Sequence, residues 1–322
     1  MLEKLSVDQA LLRAKSHIKR NEIEEAQELY QSVLKEKIVE AKKLYQATLL
    51  ASQKDIQMQQ GLASLDNHTQ DNVIQTPTSE TINHLVNLYN EGQFAIVVEQ
   101  AQSLTKQYPQ AFVIWNILGA AYKGLGQVEE ASEAFKKVTE LNPNYANGFN
   151  NLGITLQMLG KYEEAIKAYK NALLLRPNYA EGFVNLGATF EEKGELNEAI
   201  ASYQKAILIK PDYADAYYNM GISLHAQGKF DEAVEAYDRA LSLKPDYFEA
   251  YNNKGNALKD QGKLEEAISS YKKAIALFPE NADGYTNIGV AYQEQGNLNS
   301  ALEAFKKSIS LKPNNSQAYN NI

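Results

Sequence analysis

KPDYADAYYNMG, residues 210–221, holds the reading that decides the fold. Tyr217, Met220 and Gly221 stand at i, i+3 and i+4, and Leu224 follows at i+7, which is the spacing of one helix face. Inside that pattern sits Asn219, although Asn is a poorer helix former than Ala, by roughly 0.7 kcal/mol at most. The same slot holds Asn151, Asn185, Asn253, Asn287 and Asn321, so that from Asn151 onward the amide returns every 34 residues.

Working outward, the whole segment 112–315 repeats at this offset. One series of small residues runs Gly119, Gly153, Gly187, Gly221, Gly255, Gly289. A second glycine series includes Gly194, Gly228 and Gly262, an alanine series Ala199, Ala233 and Ala267, and a proline series Pro211, Pro245 and Pro279. Large aromatics fill the fourth position of each unit (Tyr217, Tyr251) and the twenty-fourth (Tyr237, Tyr271). Gly228 supplies the left-handed turn that ends the first helix. Ala233, Tyr237, Ala240 and Leu241 make the apolar stripe of a second, and Pro245 stops it. A two-helix unit of this kind buries its apolar face only by stacking on copies of itself.

This 34-residue pattern of aromatic, Leu-Gly, Gly, Ala, aromatic, Ala and Pro resembles the tetratricopeptide repeat. The resemblance implies an all-α, right-handed superhelical solenoid of antiparallel two-helix repeats. Six regular units are expected over 112–315, a divergent first unit over 78–111, and the start of a further unit over 316–322. Lys254 replaces a usual Leu, Met or Ile, and its stem is expected to pack while its ammonium reaches outward. The N-terminal quarter follows another rule: EIEEAQELYQSVLKE (22–36) is echoed by KIVEAKKLYQATLLA (37–51). The echo fits either one long helix or two packed ones, so 1–61 is expected to be a helical region, followed by a polar linker over 62–77.

Composition narrows the function. The chain has 322 residues, a net charge of −8 and no cysteine, which excludes disulfides and thiolate metal sites. No stretch approaches the ~20 apolar residues of a membrane span, and the acidic balance argues against nucleic acid as the main partner. A cytoplasmic location is expected. The four histidines are scattered, so no metal site is expected, and neither a catalytic constellation nor a cofactor cradle is present in the sequence. The acidic pairs such as Glu265-Glu266 fall in the first turn of second helices, where the dipole favours them. Lys136-Lys137, Lys272-Lys273 and Lys306-Lys307 are expected toward the opposite ends.

Helical geometry places positions 2, 6, 9 and 13 of each unit opposite the packing stripe, and the family resemblance implies that this side lines a concave groove. Position 6 is Asn151, Asn185, Asn219, Asn253 and Asn287; position 9 includes Ile154, Ile222, Asn256 and Val290; position 2 is Glu181, Asp215, Glu249 and Asp283. An amide both donates and accepts, so a row of them can bond the backbone of an extended peptide. This is similar to the asparagine ladder in the repeat domain of O-linked N-acetylglucosamine transferases. The alternative is a consensus residue that merely bonds water. The acids imply a partner carrying basic residues.

The reading is therefore a non-catalytic protein–protein interaction scaffold gripping an extended or disordered segment, with no cofactor. Its alternative is the recognition arm of an enzyme, a glycosyltransferase or sulfotransferase, whose catalytic domain lies beyond residue 322. Self-association through an uncapped C-terminal end is a further expectation.

Overall fold

A computed structural model describes residues 76–322; the expectations for 1–61 and for most of 62–77 lie outside the described residues. Within it are fifteen helices and no strand. The first pair is α1 (Ser79–Asn90) and α2 (Phe94–Gln107). Six further pairs follow: α3 (Phe112–Gly124) with α4 (Val128–Leu141), α5 (Ala146–Met158) with α6 (Tyr162–Leu175), and α7 (Ala180–Glu192) with α8 (Leu196–Ile209). Then come α9 (Ala214–Ala226) with α10 (Phe230–Leu243), α11 (Phe248–Asp260) with α12 (Leu264–Leu277), and α13 (Ala282–Glu294) with α14 (Leu298–Leu311). The short α15 (Ser316–Asn320) packs on α14. Each helix packs on its neighbours in sequence, and first helices of adjacent repeats also touch, giving an all-α superhelical solenoid.

The periodic residues explain why. At Gly228 φ is +73°, a conformation that side chains disfavour, and the turn it makes reverses the chain between α9 and α10. At Gly221 a Cβ would come within 2.6 Å of the Tyr237 ring, so only hydrogen lets α9 and α10 close on that ring. Tyr169, Tyr203, Tyr237 and Tyr271, with Phe135 and Phe305, are the largest fully buried side chains, one per repeat. Beside them Ala165, Ala199, Ala233 and Ala267 are fully sealed. The second helix ends as the proline approaches: α10 stops at Leu243, two residues before Pro245.

One local expectation is corrected. The paired lysines do not sit in the last turns of α4, α12 or α14, which hold no basic residue. They lie in the body of the helix, and one pair reaches aromatic faces: Lys272 stands 6.0 Å from the Tyr292 ring centre and Lys273 5.4 Å from that of Tyr251. His225, one of the four scattered histidines, is half-buried and bonded to Asp260 at 2.9 Å. Lys254 does extend its ammonium away from the packing slot, to Asp238 at 2.5 Å.

Candidate functional site

The candidate surface is built from the first helices, α5, α7, α9, α11 and α13. Their position-6 asparagines are half-buried, and four of the five use their amide on the preceding repeat. Asn151 donates to Asn116 at 3.4 Å, Asn185 to Asn150 at 3.1 Å, Asn253 to the Tyr218 hydroxyl at 3.0 Å, and Asn287 to Asn252 at 3.1 Å. The spacing of 35 residues means that position 6 of one repeat reaches position 5 of the one before. Asn219 faces Val184 at that place and makes no such bond.

A second tie of the same reach runs from position 12 to position 13 of the following repeat. Gln157 donates to Glu192 at 2.9 Å, and His225 pairs with Asp260. Burial alone would push the Asp260 carboxyl up, but hydrogen bonds from Lys259 and His225 outweigh it and hold it below the ordinary range. Of the position-9 residues, Ile154, Ile222 and Val290 are half-buried, while Asn256 accepts the Tyr271 hydroxyl at 2.8 Å.

The position-2 acids Glu181, Asp215, Glu249 and Asp283 are all exposed, and Asp283 approaches Lys312 at 3.8 Å. They stand beside a row that the sequence reading missed: Tyr179, Tyr213 and Tyr247, each just before a first helix. Burial, then Glu181 and Asp215, push the Tyr213 hydroxyl up, and burial with Asp215 pushes Tyr247 up further. Arg176, Lys210 and Lys244 lie over these rings at 4.6, 4.7 and 4.0 Å. The recurrence of Tyr at 34-residue spacing was the available signal.

Where α5 meets α7, these positions open into a cavity of about 770 Å³ lined by Ile154, Gln157, Met158, Tyr162, Asn185 and Glu192. It brings together Ile154 and Asn185, two of the residues singled out in the sequence. Among the described residues no group of histidine and acidic side chains is arranged to hold a metal, and no helix is long and apolar enough to cross a membrane.

Models of the TPR repeat match residues 119–160, 158–194, 189–228, 222–262 and 255–296, and that of the tetratricopeptide repeat matches 282–315. The chain belongs to the tetratricopeptide repeat family. Repeats of this family are protein–protein interaction scaffolds, typically without catalysis, and bind proteins or peptides. Among solved structures, the C-terminal part of a TPR repeat-containing protein from Cytophaga hutchinsonii superposes with a TM-score of 0.61 at 19% identity, over 75% of this chain and 99% of that one. The Cut9–Hcn1 hetero-tetramer of the APC/C gives 0.58 at 19% identity over 76% of this chain, which spans about half (48%) of the matched one. YrrB, described as a TPR protein with an unusual peptide-binding site, gives 0.50 at 28% identity, over 59% of this chain and 97% of its own. No curated protein matches in sequence.

Proposed function

We propose that this tetratricopeptide scaffold binds an extended peptide or disordered segment along the face of its first helices, without catalysis. The observation that carries the reading is the cavity between α5 and α7, because its wall joins an apolar position 9, Ile154, to an amide, Asn185. An extended chain presents alternating side chains and backbone amides, and that pairing of surfaces suits both. The similarity to YrrB, itself described as peptide-binding, points the same way. The exposed acids Glu181, Asp215, Glu249 and Asp283 run along the same helices, so the guest carries Lys or Arg residues.

The test is selection of a random peptide library on the full chain, followed by binding to two variants. Ile154→Arg places a charge in the cavity and is expected to abolish binding with helical content unchanged. Leu174→Arg changes a side chain 80% exposed on a second helix and is expected to leave binding intact. Equal binding to wild type and Ile154→Arg overturns the proposal. Affinity is also expected to fall as salt rises, since the acids are exposed.

A further inference from the structure

The junction between α7 and α9 differs from those flanking it. The 146–179 and 180–213 repeats are tied by both Asn185–Asn150 and Gln157–Glu192; the 214–247 and 248–281 repeats by both Asn253–Tyr218 and His225–Asp260. Between the 180–213 and 214–247 repeats neither tie exists, because Val184 stands where an acceptor is needed and Ala226 stands where Glu192 and Asp260 stand elsewhere.

Shifting the cavity-lining residues by one period locates what that junction offers. Gln157 becomes Glu191, Asn185 becomes Asn219, Ile154 becomes Ala188 and Glu192 becomes Ala226. Two walls shrink to alanine, the amide of Asn219 has no inter-repeat partner, and a neutral side chain is replaced by a carboxylate. One oxygen of Glu191 is held by the Ser223 hydroxyl at 2.5 Å and the Tyr203 hydroxyl at 3.4 Å. Among the described residues its Oε1 accepts no hydrogen bond, and it is not a sealed atom, since Gln261 Oε1 is the one buried unpartnered side-chain atom there.

Among the described residues no cation pairs with this carboxylate. Burial raises the Glu191 carboxyl, the two hydroxyls offset part of the rise, and its charged neighbour Glu192 pushes it further up. Lys193, next in sequence, is engaged by Glu163 and Glu195. A half-buried carboxylate with a free oxygen, beside small walls and an untied amide, is complementary to a guest cation. Ser223, which holds the carboxylate, lies one helical turn beyond Asn219 on the same face of α9, so the amide and the acid are about 6 Å apart along the helix, the reach of two residues of extended chain.

We propose that the pocket formed by Ala188, Glu191, Asn219 and Ala226 takes a lysine or arginine side chain of the bound peptide, pairing it with Glu191 Oε1 while Asn219 bonds the adjoining backbone. This assignment rests on the peptide-binding reading above and fixes where along the solenoid a basic residue must fall. The flanking junctions, whose carboxylates already have donors, do not share the preference.

The experiment uses the full chain and the tightest peptides returned by a random dodecapeptide library. They are expected to carry Lys or Arg at one fixed place. Norleucine there, or Glu191→Gln in the protein, is expected to weaken binding about tenfold, as loss of one charged hydrogen-bonded pair does. The two changes together are expected to weaken it no more than either alone. Gln157 fills the equivalent place one repeat earlier, so Glu191→Gln keeps the fold. A second variant, Ala226→Lys, supplies the cation internally and is expected to close the subsite. Peptides with no fixed basic residue, or unchanged binding by both variants, overturn the assignment while sensitivity to Ile154→Arg still upholds the groove. A library that returns no binder overturns the groove and the subsite together.

Discussion

At Gly221 and Gly284 two glycines of the same fold call for opposite outcomes. A methyl at Gly221 meets the Tyr237 ring at 2.6 Å, and that ring is fully buried with nowhere to retreat. Gly221→Ala is expected to cost about 1–3 kcal/mol of overpacking, more than the helix gain of about 1 kcal/mol offsets. At Gly284 the nearest atom to a built Cβ, on Ile275, is 3.4 Å away, so Gly284→Ala keeps the helix gain and is expected to raise the melting temperature. Thermal melts of the two variants decide both. Charge gives a second contrast. The Glu191 carboxyl is raised on folding, so the folded state binds its proton more tightly and stability falls as pH rises through that window. Glu191→Gln is therefore expected to melt above wild type at neutral pH, the gap closing in acid. Asp260 is lowered, so its contribution is present above the ordinary carboxylate range and is lost as pH falls through the lower folded value. Asp260→Asn is expected to flatten the acid limb of a melting-against-pH curve.

The helices were legible because each periodic residue answers a backbone or packing demand. Gly228 takes a φ that others avoid, and Gly228→Ala is expected to cost about 1–2 kcal/mol in a denaturant melt. What the sequence did not disclose is how helices of neighbouring repeats address each other. The asparagine row reads as a free surface when one helix is considered alone, yet four of its amides bond the repeat before. Position 5 decides this, and it is not strictly periodic: Asn116, Asn150, Tyr218 and Asn252 each supply an acceptor, whereas Val184 has none. The same irregularity hid Glu191, which one turn of α9 makes special only through Ser223. Removing a used amide and an unused one therefore differs. Asn287→Ala is expected to lower stability by about 0.5–1.5 kcal/mol, whereas Asn219→Ala leaves it unchanged or slightly higher.

At the scale of the whole array the fold class follows from the period, and the acids, amides and apolar positions fall on the first helices as helical periodicity requires. The tyrosine row with its covering cations was overlooked because those residues lie outside the helices, where helical periodicity gives no guide. Stability in such an array is close to a sum of repeat and neighbour terms, and the Gly221–Tyr237 contact closes inside a single repeat. That closure bears on how the gene behaves. Recombination between two copies that removes residues 180–213 in frame would fuse α6 to α9 across a seam of the usual design, leaving a shorter and still ordered array. Length is thus a heritable variable that changes by whole units, and the run of addresses offered to a guest lengthens or contracts with it.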